Sequence, residues 1–287
     1  CFGTSCMPEP VQDDCTVMES NGCIDWTNGI IYATGMGVPN PNFPTQAQKT
    51  YSAYQAAKVV AMRNLLQVVE GIHITSTRTV KAGMLEDDTI STQISGRLKH
   101  VMEAGKPRTM NDGSVWVTMK MYMRDIISIL VGNQQFGLGA PPQDRPKQSI
   151  APPPEPKAED KKATVEGLQY GGKADIVYTG LILDASGTSL TPAMSPKIYD
   201  PDGKEIYGSA AVDREFVLES GIAGYAKELE KAKMNDRIGG SPLLIRAKPV
   251  SEDSSDLVIS EEDARLLEKL DASQSFLREA RVLIIIG

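Results

Sequence analysis

The chain has 287 residues, of which 41% are apolar and 23% charged, with a formal net charge of −7. That length and apolar content can bury a sizeable core and suit two domains better than one. No run of about 18 apolar residues is present, which excludes a membrane-spanning helix. The basic residues neither cluster nor interleave with stacking aromatics, which excludes a nucleic-acid footprint.

All four cysteines, Cys1, Cys6, Cys15 and Cys23, fall in the first 23 residues. Residues 1–28 are acidic, lack Lys and Arg and show no usable period, so they read as an irregular arm held by disulfides. Cys6, Cys15 and Cys23 are the disulfide candidates, and cysteines segregated in this way suit an oxidising compartment. No CxxC or CxxCH spacing occurs, so no zinc ribbon, thioredoxin-like motif or haem attachment is predicted. The chain begins at Cys1 with no initiator Met, as it would after removal of a leader. A cysteine at the first mature position is what bacterial lipoprotein processing leaves, with a diacylglycerol on the thiol of Cys1. The other reading is a processed terminus whose Cys1 pairs with another cysteine. Acylation of Cys1 leaves three thiols, an odd count that predicts one free or intermolecular cysteine. Phe2, in place of Asp, then implies sorting to the outer membrane.

Residues 29–38 read as a strand. Its Gly35-Met36-Gly37 is not a phosphate loop, because Val38-Pro39-Asn40-Pro41 follows where a third glycine and a helix start are needed. From Gln46 to Glu70, Tyr54, Ala57, Ala61, Leu65 and Val68 recur at spacings of three and four, and Val59, Met62, Leu66 and Val69 form an adjoining stripe. The spacing predicts one helix of roughly 37 Å at 1.5 Å per residue, long enough to cover a small sheet. Gly71 is expected to end it with positive φ. Residues 71–81 alternate weakly as a strand, and a polar loop follows over 81–88. Over 90–103, Ile90, Ile94, Leu98 and Met102 are spaced by four, which also fits a helix, but the Ser, Thr and Gly content favours a strand. Asn111-Asp112-Gly113 is a hairpin signal. Residues 115–123 then alternate strictly, with Val115, Val117, Met119, Met121 and Met123 on one side. A short apolar helix over 125–131 closes a domain of 29–135 with the order β-α-β-β-β-α.

Residues 136–162 form a Pro-rich linker, stiff and extended because proline removes backbone donors and restricts φ. A second domain covers 163–287. Its predicted elements are a strand over 175–183, a hairpin closed by Asp200-Pro201-Asp202-Gly203, a helix over 214–233 broken near 221–224, and a strand over 242–250. Ser260 is expected to cap a helix whose first turn holds Glu261, Glu262 and Asp263. The run Arg281–Ile286 reads as a central strand buried on both faces. The fold class expected is therefore α+β: two small domains, each a mainly antiparallel sheet with helices packed on one face, joined by a Pro-rich linker.

No catalytic constellation, metal site or cofactor is predicted. His73 and His100 are the only histidines, each alone without a ligand partner at useful spacing. The alternating methionines are core filler. Ser195, Asp200 and Asp202 lie close in sequence with no histidine beside them, and the two aspartates are explained by the turn. Residues 1–28, 29–135, 136–162 and 163–287 carry net charges of −5, +4, +1 and −7. Opposite signs on the two domains are either separate solvated surfaces or partners across neighbouring subunits.

The run IYATGMGVPN, followed by AYQAAKVVAMRNLLQVVEGIHITSTRTV and by ISGRLKHVMEAG and DGSVWVTMKMYM, resembles the small bacterial lipoproteins that include the FlgP-type flagellar basal-disk proteins. The resemblance covers roughly residues 29–130 and carries no catalytic group. It implies an outer-membrane-associated α+β domain that packs side by side into large assemblies. The second half looks like an extension found in longer relatives, and that extension and the cysteine-bearing arm depart from the short flagellar proteins.

The leading expectation is a non-enzymatic structural lipoprotein of the bacterial cell envelope. It would be exported, anchored in the outer membrane through a lipid on Cys1, and self-assembled into a ring, disk or filament with itself as partner. The alternative is a periplasmic or surface binding module for an envelope component such as peptidoglycan, which needs a concave site lined by Trp116, Tyr122 or Tyr178.

Overall fold

The computed structural model describes residues 15–18, 21–138, 151–153 and 168–287. They belong to two compact units. One reaches Ile72 and resumes over Thr79–Ile129, and the other combines His73–Arg78 with Leu130–Gly287. The fold class is α+β. Cys1, Cys6 and most of the Pro-rich linker lie outside the described residues.

In chain order the first half forms β1 (Cys15–Met18), β2 (Gly22–Asp25), β3 (Ile30–Gly37), α1 (Gln46–Gly71), β4 (His73–Thr75), β5 (Arg78–Thr79), α2 (Val80–Glu86), α3 (Asp88–Leu98), β6 (Met102–Glu103), β7 (Arg108–Thr109), β8 (Val115–Tyr122) and α4 (Met123–Gly132). The sheet of the first unit runs β1-β2-β3-β8-β6, with β7 also on β8, and every pair in it is antiparallel. Period two in β8 places Val115, Val117, Met119 and Met121 in the core beneath α1.

Helix α1 starts in a capping box, the Thr45 hydroxyl accepting from Gln48 N while the Gln48 amide oxygen accepts from Thr45 N. Its buried face is built from small residues, Ala53, Ala57 and Ala61, then Leu65, Val68 and Val69. The alanines matter because β3 presents Gly35 and Gly37 to them. A Cβ on Gly35 would stand 2.2 Å from Ala61 N, and one on Gly37 would stand 2.0 Å from Ala53 O. Backbone therefore packs on backbone. Asn64, a polar residue on this face, donates from Nδ2 to Thr34 O at 2.8 Å, which satisfies it in the core. Gly71 does not take positive φ as expected: it stays helical, and Ile72 turns straight into extended backbone at φ −68°. Of the adjoining stripe, Val59 is exposed.

Three sequence expectations change here. The arm over 1–28 is not irregular throughout, because β1 and β2 form a hairpin that extends the sheet past β3, with Cys15 bonded to Cys23 across it (Cα–Cα 5.4 Å). The predicted loop over 81–88 is mostly helix α2, capped by Thr79. The predicted strand over 90–103 is mostly helix α3, whose Ile90, Ile94 and Leu98 are buried. A spacing of four is a helical repeat, and packing of α3 beside α1 and α2 overrides the β preference of its Ser and Thr. The Cys15–Cys23 bond closes a short loop, so Cys23→Ser is expected to cost about 2–3 kcal/mol. Thermal melts of oxidised wild type, reduced wild type and variant check this, the last two coinciding.

The second half forms β9 (Leu181–Asp184), β10 (Ile198–Tyr199), β11 (Glu205–Tyr207), α5 (Arg214–Ser220), β12 (Gly224–Ala226), α6 (Leu229–Lys233), β13 (Leu243–Arg246), β14 (Lys248–Pro249), β15 (Leu257–Val258), α7 (Glu261–Asp271) and β16 (Val282–Ile285). The second unit holds two sheets, β11-β10-β15-β14 and β12-β16-β9-β13. The antiparallel expectation holds for the first unit and gives way here. All three pairs of the β12-β16-β9-β13 sheet are parallel, and the other sheet is mixed. Alternation shows which face of a strand is buried, not the direction of its neighbour, and parallel neighbours follow from helical crossovers. β16 is central and buried at all four residues, as the RVLIII run predicts. The interruption of the 214–233 helix is larger than expected and contains β12.

The His73–Arg78 segment counts with this unit because its backbone carbonyls serve it. Met194 N donates to His73 O at 2.9 Å and Ser195 N to Ile74 O at 2.7 Å. Ser76 Oγ donates to the buried Asp256 carboxylate at 2.6 Å.

Candidate functional site

Strands β9 and β13 are parallel and in register, and both end on a charge, Asp184 opposite Arg246. Each is the polar terminus of an apolar run, LILD and LLIR, so the strand interiors stay in the core while their carboxyl ends meet solvent-accessible space. Tyr170 joins them from outside the sheet, bridging Leu244, and Gly171 N donates to Leu244 O at 2.9 Å. The Tyr170 hydroxyl donates to Asp184 Oδ2. The Arg246 guanidinium lies 4.8 Å from the centroid of the Tyr170 ring, and its Nη1 stands 3.7 Å from Asp184 Oδ2.

Asp184 is 5% exposed. Burial opposes its ionisation, but hydrogen bonds from Ser186 and Tyr170 and the charge of Arg246 outweigh burial and hold its carboxyl below the usual carboxylate range. Its native pKa is thus lower than its unfolded one, so its stabilising contribution is complete above about pH 4 and is lost as pH falls through the native value. Asp184→Asn is expected to cost about 1–3 kcal/mol at neutral pH. Urea titrations of variant and wild type across pH should show that gap closing below about pH 4.

Helix α7 supplies the facing wall. Ser260 caps it, accepting from Asp263 N at 3.1 Å while its hydroxyl donates to Asp263 Oδ2 at 2.6 Å. Burial, and then the neighbouring Glu262 charge, push the Asp263 carboxyl up against that hydrogen bond. Arg265 pairs with Glu261 one turn back along the helix surface. Between the strand ends and α7 lies an open cleft of about 920 Å³, whose charged lining is Arg246, Arg265 and Lys269 against Glu261, Glu262 and Asp263. This volume is in the range of small-molecule sites, and its position outside the carboxyl ends of parallel strands is where open α/β sheets bind ligands.

The sequence-predicted candidates lie elsewhere. Cys15 and Cys23 form the hairpin disulfide, and Cys1 and Cys6 are outside the described residues. Trp116 and Tyr122 are half-buried on β8, facing away from α1, with the Arg124 guanidinium 4.7 Å from the Tyr122 centroid. Tyr178 uses its hydroxyl to accept from Lys173 N at 2.9 Å, and it does not line the cleft. Asp200 accepts from Lys204 N at 2.8 Å and closes its turn. Ser195 is 1% exposed, and its Oγ makes no hydrogen bond. An unpaired buried hydroxyl costs stability, so Ser195→Ala is expected to leave stability unchanged or raise it by up to about 1 kcal/mol, with Tm unchanged or higher. Differential scanning calorimetry checks this. Among the described residues no three His, Cys, Asp or Glu group as metal ligands, and no helix is long and apolar enough to cross a membrane.

Sequence reasoning missed Tyr170, Asp184 and Arg246. The available signal was a charged residue closing each of two apolar strand runs. Fold and cleft together define a two-unit α+β protein with a charged, ligand-sized cleft in its second unit. Residues 180–287 match the family described as Treponema pallidum Tp0624, second domain, so this part of the chain is similar to that domain and includes Asp184, Arg246 and all of α7. No curated protein matches the chain.

Proposed function

We propose that the chain is a non-enzymatic binding module of the bacterial cell envelope, whose second unit holds a small charged ligand in the cleft between the β9 and β13 ends and α7. The observation that carries this reading is the fixed arrangement of Arg246 over Tyr170 with Asp184 behind it, on the floor of a cleft of about 920 Å³. The envelope setting draws support from the Cys15–Cys23 disulfide, which suits an oxidising compartment, and from the lipoprotein resemblance of residues 29–130. A thermal-shift screen of amino acids, short peptides, polyamines, sugar acids and sugar phosphates tests it. At least one compound should raise the Tm of the wild type and leave Arg246→Gln and Lys269→Glu unmoved. A screen in which nothing stabilises the wild type, or in which the variants respond equally, overturns the reading.

A second reading, the self-assembling outer-membrane lipoprotein, keeps a specific observation of its own. At the head of α1, Val38 and Tyr51 are 63% and 64% exposed, Phe43 and Met110 are also exposed, and an apolar hollow of about 450 Å³ opens beside Tyr51 and Tyr54. Apolar surface left in water supports contact between subunits. Intact mass and electron microscopy of the native protein test it: an acylated Cys1 together with regular rings or filaments supports assembly, and an unmodified Cys1 on a dispersed monomer ends it.

A further inference from the structure

Within the binding reading, on which this step rests, the cleft also shows what kind of ligand it takes. Its charges are unevenly placed: the strand-end wall carries Arg246, while α7 carries three carboxyl groups in its first turn and Arg265 and Lys269 in the turns after it. The strand-end wall offers Arg246, its guanidinium over the Tyr170 ring and beside the Asp184 carboxylate, with 23% of its side chain exposed. A guanidinium fixed in this way is a prepared seat for a planar carboxylate, which matches its fork of N–H donors. The α7 wall offers the exposed Glu262, beside Glu261, which pairs with Arg265, and Asp263, which accepts from the Ser260 hydroxyl. The positive end of the helix dipole does not make this wall an anion site, because the Ser260 hydroxyl already accepts from Asp263 N and three carboxyl side chains occupy the first turn.

The charged lining is balanced, three cations and three anions. A ligand of single sign gains from one set of charges and is repelled by the other. One bearing both signs gains from both. The Gly171-Gly172 strap adds room, since Gly171 sits at φ +80° with no atom within 4 Å of the position a Cβ would take. A side chain there would be both strained and set at the cleft's edge.

We propose that the cleft binds a small zwitterion, an amino acid or dipeptide, with its carboxylate on Arg246 and its ammonium on Glu262. Arg246 and Glu262 are then the specificity-determining residues. Isothermal titration of the full chain with four probes tests this: L-alanine, L-alanyl-L-alanine, the same dipeptide N-acetylated, and the same dipeptide as its C-terminal amide.

At least one uncapped probe should bind about tenfold or more tighter than both capped dipeptides, a gap of about 1.4 kcal/mol. The ratio of alanine to dialanine affinity tells a free amino acid from a peptide as the source of the chemistry. Glu262→Gln, an exposed change that leaves the fold intact, should bring the uncapped ligand down to the level of the N-acetylated one. Arg246→Gln should bring it to the level of the amide, with its Tm recorded to show that it is folded. Equal binding of capped and uncapped probes, no binding of either uncapped probe, or a Glu262→Gln chain that binds like wild type overturns the proposal. If a sugar phosphate or sugar acid stabilises the chain through Arg246 in the thermal-shift screen while the zwitterions fail, the ligand class is wrong and the binding module stands.

Discussion

Gly35→Ala is expected to destabilise the first unit by about 3 kcal/mol or more, which for a unit of this size lowers Tm by roughly 10 °C or more. The added methyl would lie 2.2 Å from Ala61 N and 2.3 Å from Ala57 O. Both are backbone atoms of α1, so no rotamer change can relieve the overlap. Only lifting the helix off β3 can. That movement opens the contacts of Ala53, Ala57 and Ala61, all at 0% exposure, and interiors packed to crystal density do not absorb such a shift cheaply. Gly96→Ala is the matched control. It lies inside α3, where a Cβ would meet nothing within 4 Å. Replacing a helical glycine there is expected to be neutral or to stabilise by about 0.5–1 kcal/mol. Calorimetric melts of the two variants beside wild type settle the matter. If Gly35→Ala melts within about 1 °C of wild type, α1 does not ride on β3 as described.

Arg237→Met is expected to cost the second unit about 3 kcal/mol. The Arg237 side chain donates from Nε to Ala280 O at 2.7 Å and from Nη2 to Ser220 O and Gly221 O at 2.7 and 2.6 Å. Ser220 ends α5, and the carbonyls of a helix end lack partners of their own. The guanidinium therefore caps α5 and ties it to Ala280, just before the central strand β16. Burial lowers its pKa, opposed by the neighbouring Tyr207 and Tyr225, themselves pushed up by burial. Methionine keeps most of the volume and removes every donor, so the measured loss reports the three carbonyls. Arg237→Lys should recover only part of it, because a single ammonium cannot reproduce the fork. Arg265→Met, which removes an exposed pair with Glu261 on α7, should stay within about 0.5 kcal/mol of wild type. Urea denaturation of the three variants gives the ranking, and a loss for Arg237→Met no larger than that for Arg265→Met would remove the capping role.

The parts legible beforehand share one property, that neighbours in sequence are enough to specify them. The long helix over Gln46–Gly71, the alternation over Val115–Tyr122, the Asp200-Pro201-Asp202-Gly203 turn, the Ser260 cap and the buried run before Gly287 all follow from local spacing and local capping. Misreadings begin where two local readings compete. Over Asp88–Leu98 the apolar residues fall every four positions while the residues between them prefer strand, and contact with α1 and α2 favours the helix. The β1–β2 hairpin was hidden because its residues become a strand pair only when β3 offers a free edge.

The sequence by itself determined the α+β class, the positions of the main helices and which runs must be buried, because periodicity and capping act within a few residues. Tertiary structure alone decided the parallel direction of β12, β16, β9 and β13 and the existence of the cleft. Tyr170, Asp184, Arg246 and the first turn of α7 are far apart along the chain. They meet only because parallel strands bring their carboxyl ends to one edge of a sheet and a helix begins beside that edge, a convergence that no local window contains.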